Sequence, residues 1–291
     1  RNTSIDSRLK VRRVFVSSTV DNRGRIVIPA SVRKRLRLKP NDEIVLELCD
    51  DSTGCGSSIN SGVMGIVGGF GPETSSKFHL DILRRCRNEL GFQPKIVMSI
   101  GNISNKDENQ IINGNPELFL SSLKECVSVL NDAGVDFIVI PCNTAHIFID
   151  QLRDVSNVPI VSIVDETAKR INKEGFLRVG LLATSSSISN NLFHRCFSDF
   201  NISFVVPDNG DQNELFNCLH ETLLTGKVSV DVNMRIGRIV SRLKENGADC
   251  IVLGCTDLQS MIPKIDLPVI DSLDVLADFC FEKIKGGDVH G

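Results

Sequence analysis

The chain has 291 residues, is 41% hydrophobic and 24% charged, and carries a formal net charge of −3. That length accommodates two or three domains with cores of their own, and no apolar run approaches the ~20 residues a membrane-spanning helix needs. Ten cysteines are scattered at 49, 55, 86, 126, 142, 196, 218, 250, 255 and 280 with no Cys-x-x-Cys among them, which predicts reduced thiols in a cytoplasmic protein rather than a disulfide framework or a structural zinc site.

The charge is unevenly spread. Residues 1–50 hold twelve Lys and Arg against six Asp and Glu, and the remainder holds twenty-one against thirty. A basic head on an acidic body predicts two modules with different partners. The first thirteen residues carry five Arg or Lys with no apolar run behind them, so no secretory leader is expected there. Residues 14–20 are rich in β-formers, 21–24 read as a turn, and 25–28 as a second strand. Pro29 suits the start of a short helix that runs to Leu38. Residues 39–42 form a turn before a third strand at 43–48. The signature Gly24-Arg25-Ile26-Val27-Ile28-Pro29, with Arg33, Leu36 and Lys39-Pro40-Asn41-Asp42, resembles the AbrB/SpoVT-type swapped-hairpin domain. Asn41 stands where that family usually has Gly. The resemblance covers residues 1–51 and implies a homodimer. It also implies contact with double-stranded DNA through Arg12, Arg13, Arg23 and Arg25, with phosphates supplying most of the affinity. The alternative is a module that only dimerises, with its arginines solvated.

Residues 52–62 are a Gly- and Ser-rich linker, and a second module occupies 63–291. An apolar strand runs into the turn Gly68-Gly69-Phe70-Gly71-Pro72 and then a helix, an arrangement that offers backbone N–H groups to an anion. Gly69 and Gly71 match a dinucleotide fingerprint, but its third glycine is Thr74 here, so no nucleotide cofactor is expected. Further strands are predicted at 95–100, 136–140, 160–163, 179–183, 203–206, 250–253 and 269–270. Helices are predicted at 116–133, 145–155, 166–173, 189–197, 212–224, 233–246 and 274–285. Strands alternating with helices define an α/β architecture with parallel sheets.

One phrase is written twice: GVDFIVIPCNTAH at 134–146 and GADCIVLGCTDLQ at 247–259. Each copy is a turn, a buried strand and a cysteine just past the strand's carboxyl end, where parallel sheets bind ligands. The repeat predicts two pseudo-symmetric lobes, about 63–160 plus 271–291 and about 161–270, with Cys142 and Cys255 facing one another across a cleft. A metal would need more ligands, and a redox pair usually sits closer in sequence. Proton transfer to both faces of one carbon suits two opposed thiols. Cys142-Asn143-Thr144 and Cys255-Thr256-Asp257 also place donors beside each sulfur for a developing enolate.

With the glycine-rich turn, Pro141-Cys142-Asn143-Thr144-Ala145-His146, Gly254-Cys255-Thr256-Asp257, Glu166-Thr167-Ala168 and 179–184, the body resembles the aspartate/glutamate racemase family, nearest its aspartate racemase branch. The likeness covers residues 63–285. It implies a cofactor-independent amino-acid racemase without metal, acting on aspartate, with Cys142 and Cys255 as the acid/base pair. Gly69, Gly71, Thr74, Asn143, Thr144, Thr184 and Thr256 would bind substrate, with Asn143, Thr144 and Thr256 on its α-carboxylate. His146 either orients a thiolate or satisfies a core hydrogen bond, and Asp257 stands where aspartate racemases usually have Glu. Those enzymes commonly carry an Arg for the substrate's side chain at a position that falls near Glu108. Lys106 and Lys227 are the available substitutes, and neutral or basic amino acids stay open as substrates. The rival reading is a DNA-binding regulator whose racemase-like body senses an amino acid. A hydantoin racemase or a decarboxylase would share the fold, and the second thiol speaks against a decarboxylase.

Overall fold

The computed structural model describes residues 62–101 and 116–286, all within one compact unit spanning Ile59–Gly291. Arg12, Arg13, Arg23, Arg25 and Lys106 lie outside the described residues, as do the N-terminal strands expected around them.

In chain order the elements are β1 (Met64–Gly68), α1 (Pro72–Arg85, prolonged by a π-helical turn Cys86–Leu90), β2 (Ile96–Ile100), α2 (Pro116–Asp132) and β3 (Phe137–Val139). A 3-10 turn at Thr144–Phe148 leads into α3 (Ile149–Arg153), β4 (Ile160–Val161) and α4 (Ile163–Glu174). Then come β5 (Arg178–Leu182), α5 (Ser185–Ser189), α6 (His194–Asp199), β6 (Ser203–Val205), α7 (Asn209–Thr225) and α8 (Val230–Glu245). The chain closes with β7 (Cys250–Leu253), a 3-10 turn Thr256–Ser260, β8 (Val269–Asp271) and α9 (Ser272–Gly286). The strands form two four-stranded sheets, ordered β2-β1-β3-β4 and β6-β5-β7-β8, and every pairing is parallel. The two sheets are therefore wired identically.

The repeated phrase is the device that builds each sheet. Gly134 and Gly247 adopt φ of 66° and 89°, a left-handed turn that glycine takes without penalty. The aspartate two residues on, Asp136 or Asp249, accepts backbone N–H groups at the entry to the neighbouring strand, from Val63 in one lobe and from Leu177 and Arg178 in the other. The neighbouring strand carries a glycine because the repeat packs hard against it. A Cβ on Gly65 would meet Val135, Ile138 and Leu130 at 3.0–3.2 Å, and one on Gly180 would meet Ile251, Leu243 and Ala248 at 2.8–3.2 Å. Those neighbours are the same three positions shifted by the repeat spacing. A second repeat follows: PIVSIVDETA at 159–168 matches PVIDSLDVLA at 268–277. The carbonyls of Pro159 and Pro268 accept from Ile138 and Ile251, each at 2.9 Å.

The inner faces of both sheets share one core with α1, α4 and α9. Met64, Ile66, Phe137 and Val139 from one sheet join Val179, Leu181, Cys250 and Val252 from the other, with Phe78, Ile82, Ala168, Leu276 and Cys280 between them. The outer faces are covered separately, by α2 in the first lobe and by α7 and α8 in the second. Among the described residues no helix is long and apolar enough to cross a membrane, and the eight described cysteines are free thiols.

Two expected helices are divided. The one at 145–155 opens as the 3-10 turn Thr144–Phe148 before α3. The one at 189–197 is α5 and α6, parted where Asn191 takes a positive φ of 54°. Helix α5 begins earlier than expected because the Thr184 side chain caps it, accepting from Ser187 N–H.

Candidate active site

Cys142 and Cys255 sit past the carboxyl ends of β3 and β7, interior strands of their sheets. Each opens into a turn of 3-10 helix, and the match extends to the atoms around sulfur. Backbone N–H groups two and three residues on, from Thr144 and Ala145 at Cys142 and from Asp257 and Leu258 at Cys255, favour the thiolate. Desolvation outweighs them. Burial, with Asp257 adding its charge, pushes Cys142 up to about 11 and Cys255 well above the ordinary thiol range. The thiols are close enough that charge on Cys142 opposes ionisation of Cys255, and Thr256 Oγ1 donates across to the Pro141 carbonyl at 3.2 Å. The structure thus brings the two halves of the repeat together.

Around them the Gly69–Gly71 turn is held by Ser75, whose Oγ accepts from Gly69 N–H at 3.2 Å and donates to the Gly71 carbonyl at 2.9 Å. Gly69 and Gly71 both have positive φ, near 94° and 93°. Thr74 Oγ1 donates to Asp257, whose carboxyl burial pushes up and this bond pulls down. Thr144 and Thr184 hydroxyls lie 3.1 Å apart, and Ser187 Oγ is 3.3 Å and 2.9 Å from them. Asn143 is buried, with Nδ2 donating to Ser272 Oγ at 2.8 Å. The Thr256 proton is spent on Pro141, so its hydroxyl ties the loops rather than reaching out as a donor.

His146 is 2% exposed, and its ring is hydrogen-bonded to the backbone. Its Nδ1–H donates to the Cys142 carbonyl at 2.8 Å and its Nε2 accepts from Ile163 N–H at 3.2 Å. The bond accepted at Nε2 needs the neutral ring, and desolvation lowers the pKa of His146. It fixes the backbone of the Cys142 turn to the start of α4. Lys227 is exposed in the turn after α7, where its hydrogen bonds are with Thr225. Ser187 and Ser272 were not singled out from sequence. Ser272 lies in the second repeat, which would have drawn attention to it. A separate cavity of about 410 Å³ beside α9 is lined by Arg85, Arg170, Asp271, Asp274 and Asp278 and includes neither thiol. Its arginines are already paired with Asp278 at 2.5 and 2.7 Å.

Two parallel-sheet α/β lobes of matching topology thus each carry a cysteine just past the end of an interior strand. Residues 67–280 match the family model "Asp/Glu/Hydantoin racemase", and the chain belongs to that family. Its relatives include the broad specificity amino-acid racemase RacX of Bacillus subtilis (strain 168), 24% identical over 225 residues, 74% of this chain and 95% of that one. Picrophilus torridus aspartate racemase superposes with a TM-score of 0.63 at 24% identity, over 77% of this chain and 94% of that one. An aspartate racemase homologue from Pyrococcus horikoshii OT3 does so with 0.63 at 24%, over 76% and 98%. Residues 18–52 match a different family model, "Antidote-toxin recognition MazE, bacterial antitoxin", in the stretch that resembles the AbrB type.

Proposed function

We propose that the chain racemises an amino acid without cofactor, with Cys142 and Cys255 exchanging protons with opposite faces of one substrate Cα. The duplicated thiol setting carries this reading: two sulfurs at equivalent strand ends, each against backbone N–H groups at the same offsets, in mutual electrostatic contact. Burial keeps both thiols protonated in the empty site. A substrate α-ammonium brings positive charge, and one thiol then releases its proton to solvent. That thiolate takes the Cα proton, and the electron pair spreads into the carboxylate. The opposite thiol delivers its own proton to the other face, so thiol and thiolate have exchanged places and the product is the enantiomer. The hydroxyls of Thr144, Thr184 and Ser187 supply rotatable donors for the charged carboxylate.

Aspartate is the first substrate to test, supported by the aspartate racemase likeness. Neutral and basic amino acids follow, because RacX is named for broad specificity and the expected arginine position falls on or near Glu108. The basic N-terminal segment would dimerise the protein and contact DNA phosphates through Arg12, Arg13, Arg23 and Arg25. Its antitoxin-type match also supports the second reading, a regulator whose racemase-like body senses an amino acid.

The test is incubation with L-aspartate in D₂O, reading the Cα proton by NMR and the D-enantiomer by chiral chromatography. Loss of racemisation in both Cys142→Ser and Cys255→Ser is expected, by at least about a hundredfold, the scale of acid/base catalysis. No exchange with aspartate, glutamate, alanine or lysine would remove the racemase reading and leave the sensing one.

A further inference from the structure

Ser272 is the first residue of α9 and is fully buried. Its Oγ donates to the Leu253 carbonyl at 2.7 Å and accepts from Asn143 Nδ2 at 2.8 Å. A hydroxyl owns one proton, and a carbonyl oxygen can only accept. The Ser272 proton is therefore committed to Leu253, and the Asn143 atom facing Ser272 has to be a donor, the amide nitrogen. A side-chain amide has two nearly isosteric orientations. The serine selects one of them.

Asn143 Oδ1 is consequently turned away from Ser272. The residue is 1% exposed, and Oδ1 has no hydrogen-bond partner. Buried acceptors in folded proteins are nearly always satisfied, so an orphaned one on the residue next to a candidate catalytic thiol marks the place of a ligand donor. A substrate carboxylate would set lone pairs against lone pairs there. An α-ammonium group supplies a charged N–H donor. The negative charge of Asp257, felt by both thiols, draws the ammonium into the same region.

We propose that Ser272 is a specificity-determining positioning residue: it locks the Asn143 amide so that Oδ1 accepts from the substrate's α-ammonium. The site thereby selects α-amino acids over the same acids lacking the amino group. Asn143 then serves the ammonium, and the α-carboxylate falls to the hydroxyls of Thr144, Thr184 and Ser187. This rests on the racemase reading of the two cysteines.

Matched pairs test it on the full chain: L-aspartate with succinate, L-glutamate with glutarate, and L-lysine with 6-aminohexanoate, each differing by the α-amino group alone. Calorimetry gives the affinities, and Cα exchange gives kcat and KM. In the unaltered protein, at least one amino acid is expected to bind about tenfold or more tightly than its partner, the scale of a charged hydrogen bond. Ser272→Ala releases the amide and is expected to weaken that amino acid alone, closing the gap to within about threefold and raising KM more than it lowers kcat. Ser272→Thr keeps the hydroxyl and is expected to keep the discrimination, with melting curves reporting that both variants fold. Equal weakening of both pair members in Ser272→Ala, or lost discrimination in a folded Ser272→Thr, overturns the assignment while leaving racemisation in place. An unaltered protein that neither binds nor exchanges any of these amino acids overturns the racemase reading and this inference together.

Discussion

At Cys142 two influences oppose one another. Backbone N–H groups favour the thiolate, while burial and the nearby Asp257 favour the thiol, and burial prevails. Because the pKa is pushed up to about 11, the thiolate fraction at neutral pH is far below that of an ordinary cysteine. Alkylation of the ligand-free protein by iodoacetamide, followed at the Cys142 peptide by mass spectrometry, is expected to rise about tenfold per pH unit from pH 8 to 10. A plateau near the ordinary thiol value of about 8.5 would contradict the burial argument. The two thiols were legible in the sequence because both stand in a repeated phrase at predicted strand ends. Ser272 was not, because its importance comes from one hydroxyl that donates to a group 19 residues away and accepts from another 129 residues away. His146, for which two roles were open, meets the carbonyl of Cys142 through Nδ1.

At the scale of elements, the strands were legible as apolar runs and the helices as amphipathic stretches, while caps and 3-10 turns were not. Asp271 is an example. It precedes α9 and its Oδ1 accepts from Leu273 N–H at 2.8 Å, an N-cap arrangement, while Oδ2 is buried without a partner. Ser162 holds the corresponding place before α4, accepting from Asp165 N–H at 3.1 Å with no charge to bury. Burial, and then Asp274, push the Asp271 carboxyl up to about 6. The folded chain therefore holds a proton that the unfolded chain has already lost above about pH 4. The stability tied to that proton is present below about pH 4 and lost as pH rises through 6. Asp271→Asn keeps the cap and removes the charge. Urea unfolding is expected to show it about 2 kcal/mol more stable than the parent at pH 7.5 and no more stable at pH 4.

For the whole molecule the shared inner core decides how the lobes respond to stress. Leu276 lies in α9 within that core and is fully buried. Truncating such a leucine costs about 2–5 kcal/mol through lost contacts and the cavity left behind. Because both sheets bury their inner faces in the same cluster, Leu276→Ala is expected to lower the protection of β1 and β3 together with β5 and β7 in hydrogen exchange. Loss confined to one sheet would mean that the lobes are energetically separate. The fold class was legible because alternating strand and helix patterns admit few arrangements. The joining of both sheets through α1, α4 and α9 was not, since an apolar helix face does not name its partner.

The identical wiring of the two sheets does not make mirror-image substrates equivalent. A rotation relates like halves, never a reflection, and a site built of L-residues forms different complexes with the two enantiomers however alike its halves are. The halves also differ in detail: Asn143 and His146 on one side correspond to Thr256 and Gln259 on the other. The two mirror-image substrates therefore meet different surroundings. The equilibrium between them still stands at unity, because mirror images have equal free energy in water. Any advantage one enantiomer has in turnover must then be matched by an equal handicap in its Michaelis constant.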